Sequence, residues 1–488
     1  MPCTTLLVGK NATNDNSLII ARTDDGHFDV KKIVVVNPKD QPKIYKSKIG
    51  HLEIELKEKP FRYTSCPSVD LKNGIWAATG INEKNVGMTA TETTTSNPRV
   101  LGLDPYVRYE KAKKKGEKDK PGGLGEEDFV VLVLPYIKTA REGVLRLGEL
   151  LTKYGTYESN GIAFNDENEI WWFETIGGHH WMARKVEDDE YVVMPNQFGL
   201  DKFDFSDAYK EKKANLCSSD LKEFVESNFL NTSFDESNFN PRLAFGSHTD
   251  QDHVYNTPRG WYMCRYFNPR TFVWDGEDAF YTPESDDIPW SLKPEHKITI
   301  EDIKYILSSY YQGTIYNPYG RGDSPKKGMY RPIGINRTDV TGILQIRPNK
   351  DDNIKGIEWI SFASNAFNVS VPLYSNVSKM PSYLSSVNKN VSLDNLYWST
   401  RVLQALADSH YSTSIMSIER YQNKVMNGVR ELLYKYDKLM EEKGKYDLME
   451  EANQKIVDFV KAETDSIIST VLLNASEHMK NGYNRFDN

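Results

Sequence analysis

Long apolar runs, paired cysteines and metal-ligand spacings are all missing from this 488-residue chain. No stretch approaches the roughly 18–20 apolar residues of a membrane span, and no charged segment leads into an apolar one at the N-terminus. No membrane partner is expected, and the expected location is the cytoplasm. Four cysteines, Cys3, Cys66, Cys217 and Cys264, are too few and too scattered for a disulfide framework or a CxxC zinc site. His179 and His180 in "GGHHW" have no HExxH or HxxxH spacing around them. Neighbours on a strand also point to opposite faces, so no metal and no other cofactor is expected. A basic stripe interleaved with aromatics is absent as well. The net charge is −8, and the lysine run "KAKKKGEKDK" at 111–120 reads as a solvated loop, so nucleic acid is not an expected partner. Seven N-x-S/T sequons (Asn11, Asn231, Asn336, Asn368, Asn376, Asn390, Asn474) read as chance in an Asn-rich chain.

What is present alternates in blocks. Residues 1 to about 100 form short β-branched runs separated by Gly and Asn. The period then changes: "GEEDFVVLVLPYIKTAREGV" carries acids at its start and bases near its end, as a helix prefers, and a second helix is expected over Val144–Tyr154. Strands return in "NGIAFNDENEIWWFETIGGHHWMARKV", with a hairpin turn at Asn165–Asn168, and again in "GILQIRP", "IEWISFA" and "NVSVPLY". Helices over roughly Pro241–Arg265 (interrupted) and Ile300–Tyr311 fall between. After about Thr400 the pattern is helical, with Ile418, Tyr421, Val425, Val429, Leu432 and Leu433 at helical spacing. Such blocks favour an α+β class with two packed sheets and helical layers outside.

Chemistry is concentrated near the start. "MPCTTLLVGKNATNDNSLIIARTDD" has two alternating runs around a turn rich in Asn, Asp and Thr. With the turn centred on Ala12 and Thr13, Cys3 is expected opposite Arg22. A thiol is a good nucleophile only as thiolate, and a cysteine that becomes the first residue brings its own α-amine as base. Arg22 can hold the thiolate, and Asp25 can anchor the ammonium; otherwise the pair is an ordinary surface salt bridge. Asn196, after the apolar run "VVMP", can donate to an oxyanion or simply close a strand. Arg259 in "YNTPRGWY" is a further candidate, its plain alternative being a cation stacked on Trp261 or Tyr262.

The start "CTTLLVGKNAT…IARTDD", with "PGGLGEEDFVVLVLPYIKTAREGV", "YNTPRGWY" and "RPIGINRTDVTGILQIRP", resembles the dipeptidase A family of N-terminal-nucleophile cysteine hydrolases, related to secernins and to bile-salt and penicillin V acylases. The resemblance covers most of residues 3–375. It implies a four-layer αββα sandwich of two antiparallel sheets with outer helices over residues 3–398. A helical segment over 399–488 then packs on that core or forms an oligomer contact, and a homo-oligomer is expected. It also implies metal-free hydrolysis of dipeptides with broad side-chain tolerance after removal of Met1 and Pro2. Cys3 would be the nucleophile with Arg22 and Asp25 around it, Asn196 in the oxyanion hole, and Arg259 supporting the amino terminus. "GINEKNVGMTATETT" is similar to the acylase strand that supplies a backbone oxyanion donor, but has Glu92 where acylases tend to have Asn. Glu92 is accordingly the candidate for the substrate's ammonium. The alternatives are an acylase of non-peptide amides and a secernin-like scaffold or binding protein.

Overall fold

The computed structural model describes residues 3–234 and 239–481. Two seven-stranded antiparallel sheets dominate it. The first runs in the order Ser291–Leu292, Tyr191–Met194, Cys3–Val8, Leu18–Asp24, Val340–Ile346, Gly356–Phe362, Val371–Tyr374. The second runs Asn215–Cys217, His180–Lys185, Ile170–Ile176, Asn160–Asn165, Gly87–Thr89, Thr79–Ile81, with the short strand Glu92–Thr93 also paired to Asn160–Asn165.

Alternation along these strands sorts side chains to opposite faces, and both faces are buried. Leu7, Ile20, Leu344 and Ile346 of the first sheet share one apolar cluster with Ala163, Trp172 and Met182 of the second. Their neighbours Leu6, Val8, Ile19, Ala21 and Ile343 join a different cluster with the helices Thr257–Phe267 and Ile300–Leu307. Ile162, Phe164, Trp171, Phe173 and Ala183 of the second sheet pack with the helices Glu126–Val133 and Ala140–Tyr154. Between the sheets, the Asn165 amide donates to the carbonyls of Leu18 (2.9 Å) and Leu344 (3.1 Å).

Several element ends differ from the sequence expectation. Pro135 breaks the first helix after Val133 into a single 3₁₀ turn, and the next begins at Ala140 rather than Val144, where Thr139 caps the Glu142 N–H at 3.1 Å. The region 241–265 is three pieces, Pro241–Phe245, Asp252–Tyr255 and Thr257–Phe267, and Pro258 lies in the first turn of the last. The Ile300 helix ends at Leu307, short of Tyr311, which is left-handed with φ 63°.

The C-terminal region is helical: Leu396–Ser409, Tyr411–Lys443 and Met449–Glu477. Ile418, Tyr421, Val425, Val429 and Leu433 are buried, and Leu432 flanks them half-buried. Gly444, at φ 60°, ends the long helix in the left-handed region that glycine tolerates. Asn453 covers the edge of the first sheet by pairing with both the N–H and the C=O of Tyr374, at 2.8 and 3.0 Å. No helix among the described residues is long and apolar enough to cross a membrane.

Candidate active site

The opening hairpin places the site. Its true register pairs Cys3 with Asp24 and Thr5 with Arg22, two residues from the expected one. The loop is longer than a centre at Ala12–Thr13 allows: the Thr13 hydroxyl donates to Ser17 O at 2.8 Å, and Asn16 turns left-handed at φ 61°. A slip of two keeps each side chain on its face, so Arg22 still reaches diagonally back to Cys3. The neighbouring strand pairs Thr5 with Met194. Continued by two residues, that register sets Asn196 beside Cys3.

On the face between the sheets, Cys3, Thr5, Arg22 and Asp24 continue the rows that carry Leu7 and Ile20. Arg22 Nη2 donates to Cys3 Sγ at 2.9 Å and to Glu126 Oε1 at 2.5 Å. Asp24 pairs with Lys31 at 3.0 Å and lies 3.9 Å from Arg22. Glu126 opens a helix whose first turn is wholly acidic, favourable at the positive end of the helix dipole. Gly125 before it is pressed to Tyr157, whose ring any Cβ would strike. Burial pushes the Cys3 thiol far above its ordinary value; Arg22 opposes this, while Glu92, Glu126 and Asp24 add to it. The resting sulfur is therefore a thiol that must lose its proton to a neighbour as it attacks. Burial also resists ionisation of Asp24, but the Lys31 ammonium and Arg22 guanidinium overcome it and hold that carboxyl below its usual range.

Glu92 is fully buried and its Oε2 accepts from the Thr5 hydroxyl at 2.8 Å. Burial raises its carboxyl to about 8, against the pull of Arg259, the Thr5 hydroxyl and Arg22. The folded protein thus prefers neutral Glu92, and this group's contribution to stability is lost as pH rises from about 4.5 to about 8. Glu92→Gln, neutral at every pH, is expected to flatten that decline. Thermal unfolding of both proteins at pH 5 and pH 8 measures it, and an equal loss of Tm in both would contradict the assignment.

The remaining candidates surround the end of the hairpin. Arg259 is fully buried, donating through Nη1 to Cys3 O and to Thr4 Oγ1 (2.7 Å), and through Nη2 to Asn196 Oδ1 (2.8 Å) and Asn256 Oδ1 (2.7 Å). It lies over the Tyr255 ring at 5.3 Å rather than on Trp261 or Tyr262. Burial and then Arg331 lower it to about 10. Asn196 Oδ1 also accepts from the Cys3 N–H at 3.2 Å, and its Nδ2 donates to Thr93 O at 2.9 Å. Asp25 takes hydrogen bonds from Thr23 Oγ1 (3.2 Å) and Thr338 Oγ1 (2.6 Å) and pairs with Arg331. Met1 and Pro2 lie outside the described residues.

The sequence reading missed Asp24, Lys31, Glu126 and Arg331. Asp24 was within reach, since it shares the strand face of Arg22; Lys31 follows a few residues later, and Glu126 and Arg331 stand in segments that carry the family resemblance but give no local sign of meeting this hairpin. His179 and His180 do not diverge as expected. His179 lies in the turn before the strand, and both Nδ1 atoms meet Asp104, at 3.0 and 2.7 Å. Among the described residues, the one cluster with metal-ligand spacing is Cys3, Asp24 and Glu126, and there the Arg22 guanidinium already bridges the thiol and Glu126.

Known proteins resemble this chain along its length. A family model described as "Peptidase family C69" matches residues 2–424. A protein named dipeptidase from Bifidobacterium longum is 47% identical, with all of both chains covered. A probable dipeptidase A from Streptococcus pyogenes serotype M3 is also 47% identical over all of both chains. A probable dipeptidase B from Lactococcus lactis is 44% identical, covering 98% of this chain and 96% of its own.

Proposed function

The chain belongs to peptidase family C69, and from that premise we propose that it hydrolyses dipeptides with Cys3 as an N-terminal nucleophile. The observation that carries this is the Cys3 sulfur held 2.9 Å from Arg22 while Asn196 Oδ1 takes the Cys3 backbone N–H. With Met1 and Pro2 removed, that nitrogen becomes an α-amine with an ordinary pKa of about 7.7–8.0, a competent base near neutrality. The amine takes the thiol proton as sulfur attacks the scissile carbonyl. Asn196 donates to the oxyanion, and the amine returns the proton to the departing amino group. Water then cleaves the thioester.

Asp25 acts through its neighbours in this scheme, fixing Arg331 and Thr23, and Thr23 in turn receives the Thr4 N–H at 3.0 Å. Three separate apolar clusters, one between the sheets and one on each outer face, support a four-layer αββα catalytic unit over 3–398. Of the segment 399–488, the described residues 399–481 pack on it through the outer cluster of the first sheet.

The test is hydrolysis of free dipeptides by the purified protein. EDTA is expected to leave the rate intact and iodoacetamide to abolish it. Loss of activity on dialysis against EDTA, restored by zinc or manganese, would overturn the cysteine mechanism.

A further inference from the structure

A dipeptide differs from other amides in carrying an ammonium one carbon from the attacked carbonyl, and that distance is fixed by covalent geometry. Bond lengths of about 1.46 and 1.52 Å at about 111° put the nitrogen about 2.5 Å from the attacked carbon. Sulfur attacks from about 3–3.5 Å, so the ammonium must lie within about 6 Å of Cys3 Sγ. A carboxylate that receives it adds about 2.8 Å. The sulfur of Cys3 and one carboxylate oxygen each of Asp24 and Glu126 lie within 4.8 Å of one another, well inside that reach. Glu92 is bonded to Thr5, one strand repeat (about 6.8 Å) further along the face and thus further from the sulfur, and burial raises its carboxyl to about 8, which disfavours the charged form an ammonium needs.

Asp24 and Glu126 differ in how their charges are met. Asp24 is balanced by Lys31 at 3.0 Å. Glu126 shares Arg22 with the Cys3 thiol, and it also faces a like charge: its N–H donates to Glu158 Oε1 at 2.9 Å. Burial and then Glu126 push Glu158 up, a repulsion that an arriving cation relieves. We propose that Glu126 receives the α-ammonium of the dipeptide, with Asp24 beside it, and that this contact draws Glu126 off Arg22 and leaves the guanidinium to the thiolate. The proposal rests on the dipeptidase reading above. It makes the substrate's own charge a condition for full activation of the nucleophile, and so excludes N-acylated peptides.

Cleavage of the same bond in alanylalanine and in N-acetyl-alanylalanine tests it. Glu126→Gln is expected to lower kcat/KM for the free-amine substrate about 10–100-fold, the range for one hydrogen bond to a charged group, with cleavage of the acetylated one no slower. It should also speed alkylation of Cys3 by iodoacetamide at neutral pH, because a negative charge beside the sulfur is gone; a merely structural role would not do this. Wild-type protein that cleaves neither substrate defeats the dipeptidase reading itself. Wild-type cleavage with an unchanged preference in Glu126→Gln defeats only the assignment of Glu126, as does loss of preference in Glu92→Gln instead. Should Glu126→Gln fail to fold, Glu126→Asp keeps the charge and draws it back, and an unchanged preference there is equally fatal.

Discussion

Cys3→Ala is expected to retain Pro2 and to lose at least about 10⁴-fold in kcat, whereas the wild-type chain is expected to begin at Cys3. The size follows from removing a nucleophile whose base and oxyanion donor act only through it. The processing outcome follows from where the residue sits. As encoded, the Cys3 nitrogen is in a peptide bond to Pro2 and cannot serve as a base. The sulfur can attack the Pro2 carbonyl in an N-to-S acyl shift: the C–S bond forms, the C–N bond to Cys3 breaks, the thiol proton passes to the departing nitrogen, which leaves as the α-amine, and water hydrolyses the thioester. The surroundings suit that step, with the Cys3 N–H held by Asn196 and its carbonyl by Arg259. Intact mass of both proteins decides the matter. A Cys3→Ala chain that also begins at residue 3 assigns the cleavage to an aminopeptidase, and fully active enzyme still carrying Pro2 refutes the free-amine base.

The parts of this site that follow strand arithmetic were legible from sequence, and those that follow long-range packing were not. Cys3 and Arg22 sit in one hairpin, and an error of two residues in register still left them on one face, because the period of a strand is two. Asn196 and Arg259 stood out as polar residues bordering apolar runs, although the stacking partner suggested for Arg259 was wrong. Glu126 could not be reached this way. It lies 104 residues from Arg22, at the start of a helix whose first three residues, Glu126, Glu127 and Asp128, are all acidic and alike in sequence. Burial separates their roles: the hydroxyls of Tyr45 and Ser47 bind Asp128, and Tyr157 binds Glu127. The helix ends missed by sequence have two causes: Pro135 is a local break that apolar periodicity overlooks, and the left-handed Tyr311 depends on tertiary fit that periodicity does not encode.

Asn196 carries the second large effect. Its amide is pinned at both ends: Oδ1 takes Cys3 N–H and Arg259 Nη2, and Nδ2 gives one proton to Thr93 O. A guanidinium cannot accept, so Arg259 fixes which end of the amide is oxygen. The second Nδ2 proton is then the one available to an oxyanion. Asn196→Ala is expected to lower kcat by roughly 10²–10³-fold with little change in KM, the range for one lost oxyanion donor. Asn196→Asp separates donor from acceptor. It keeps an oxygen for Cys3 and Arg259 but deletes both protons, so it should be as impaired as the alanine variant. Strong activity in Asn196→Asp, with the basic residue of the pH profile shifted upward by the added negative charge, would instead make Asn196 a positioner of the Cys3 amine. Near-normal turnover in Asn196→Ala removes the residue from the mechanism altogether.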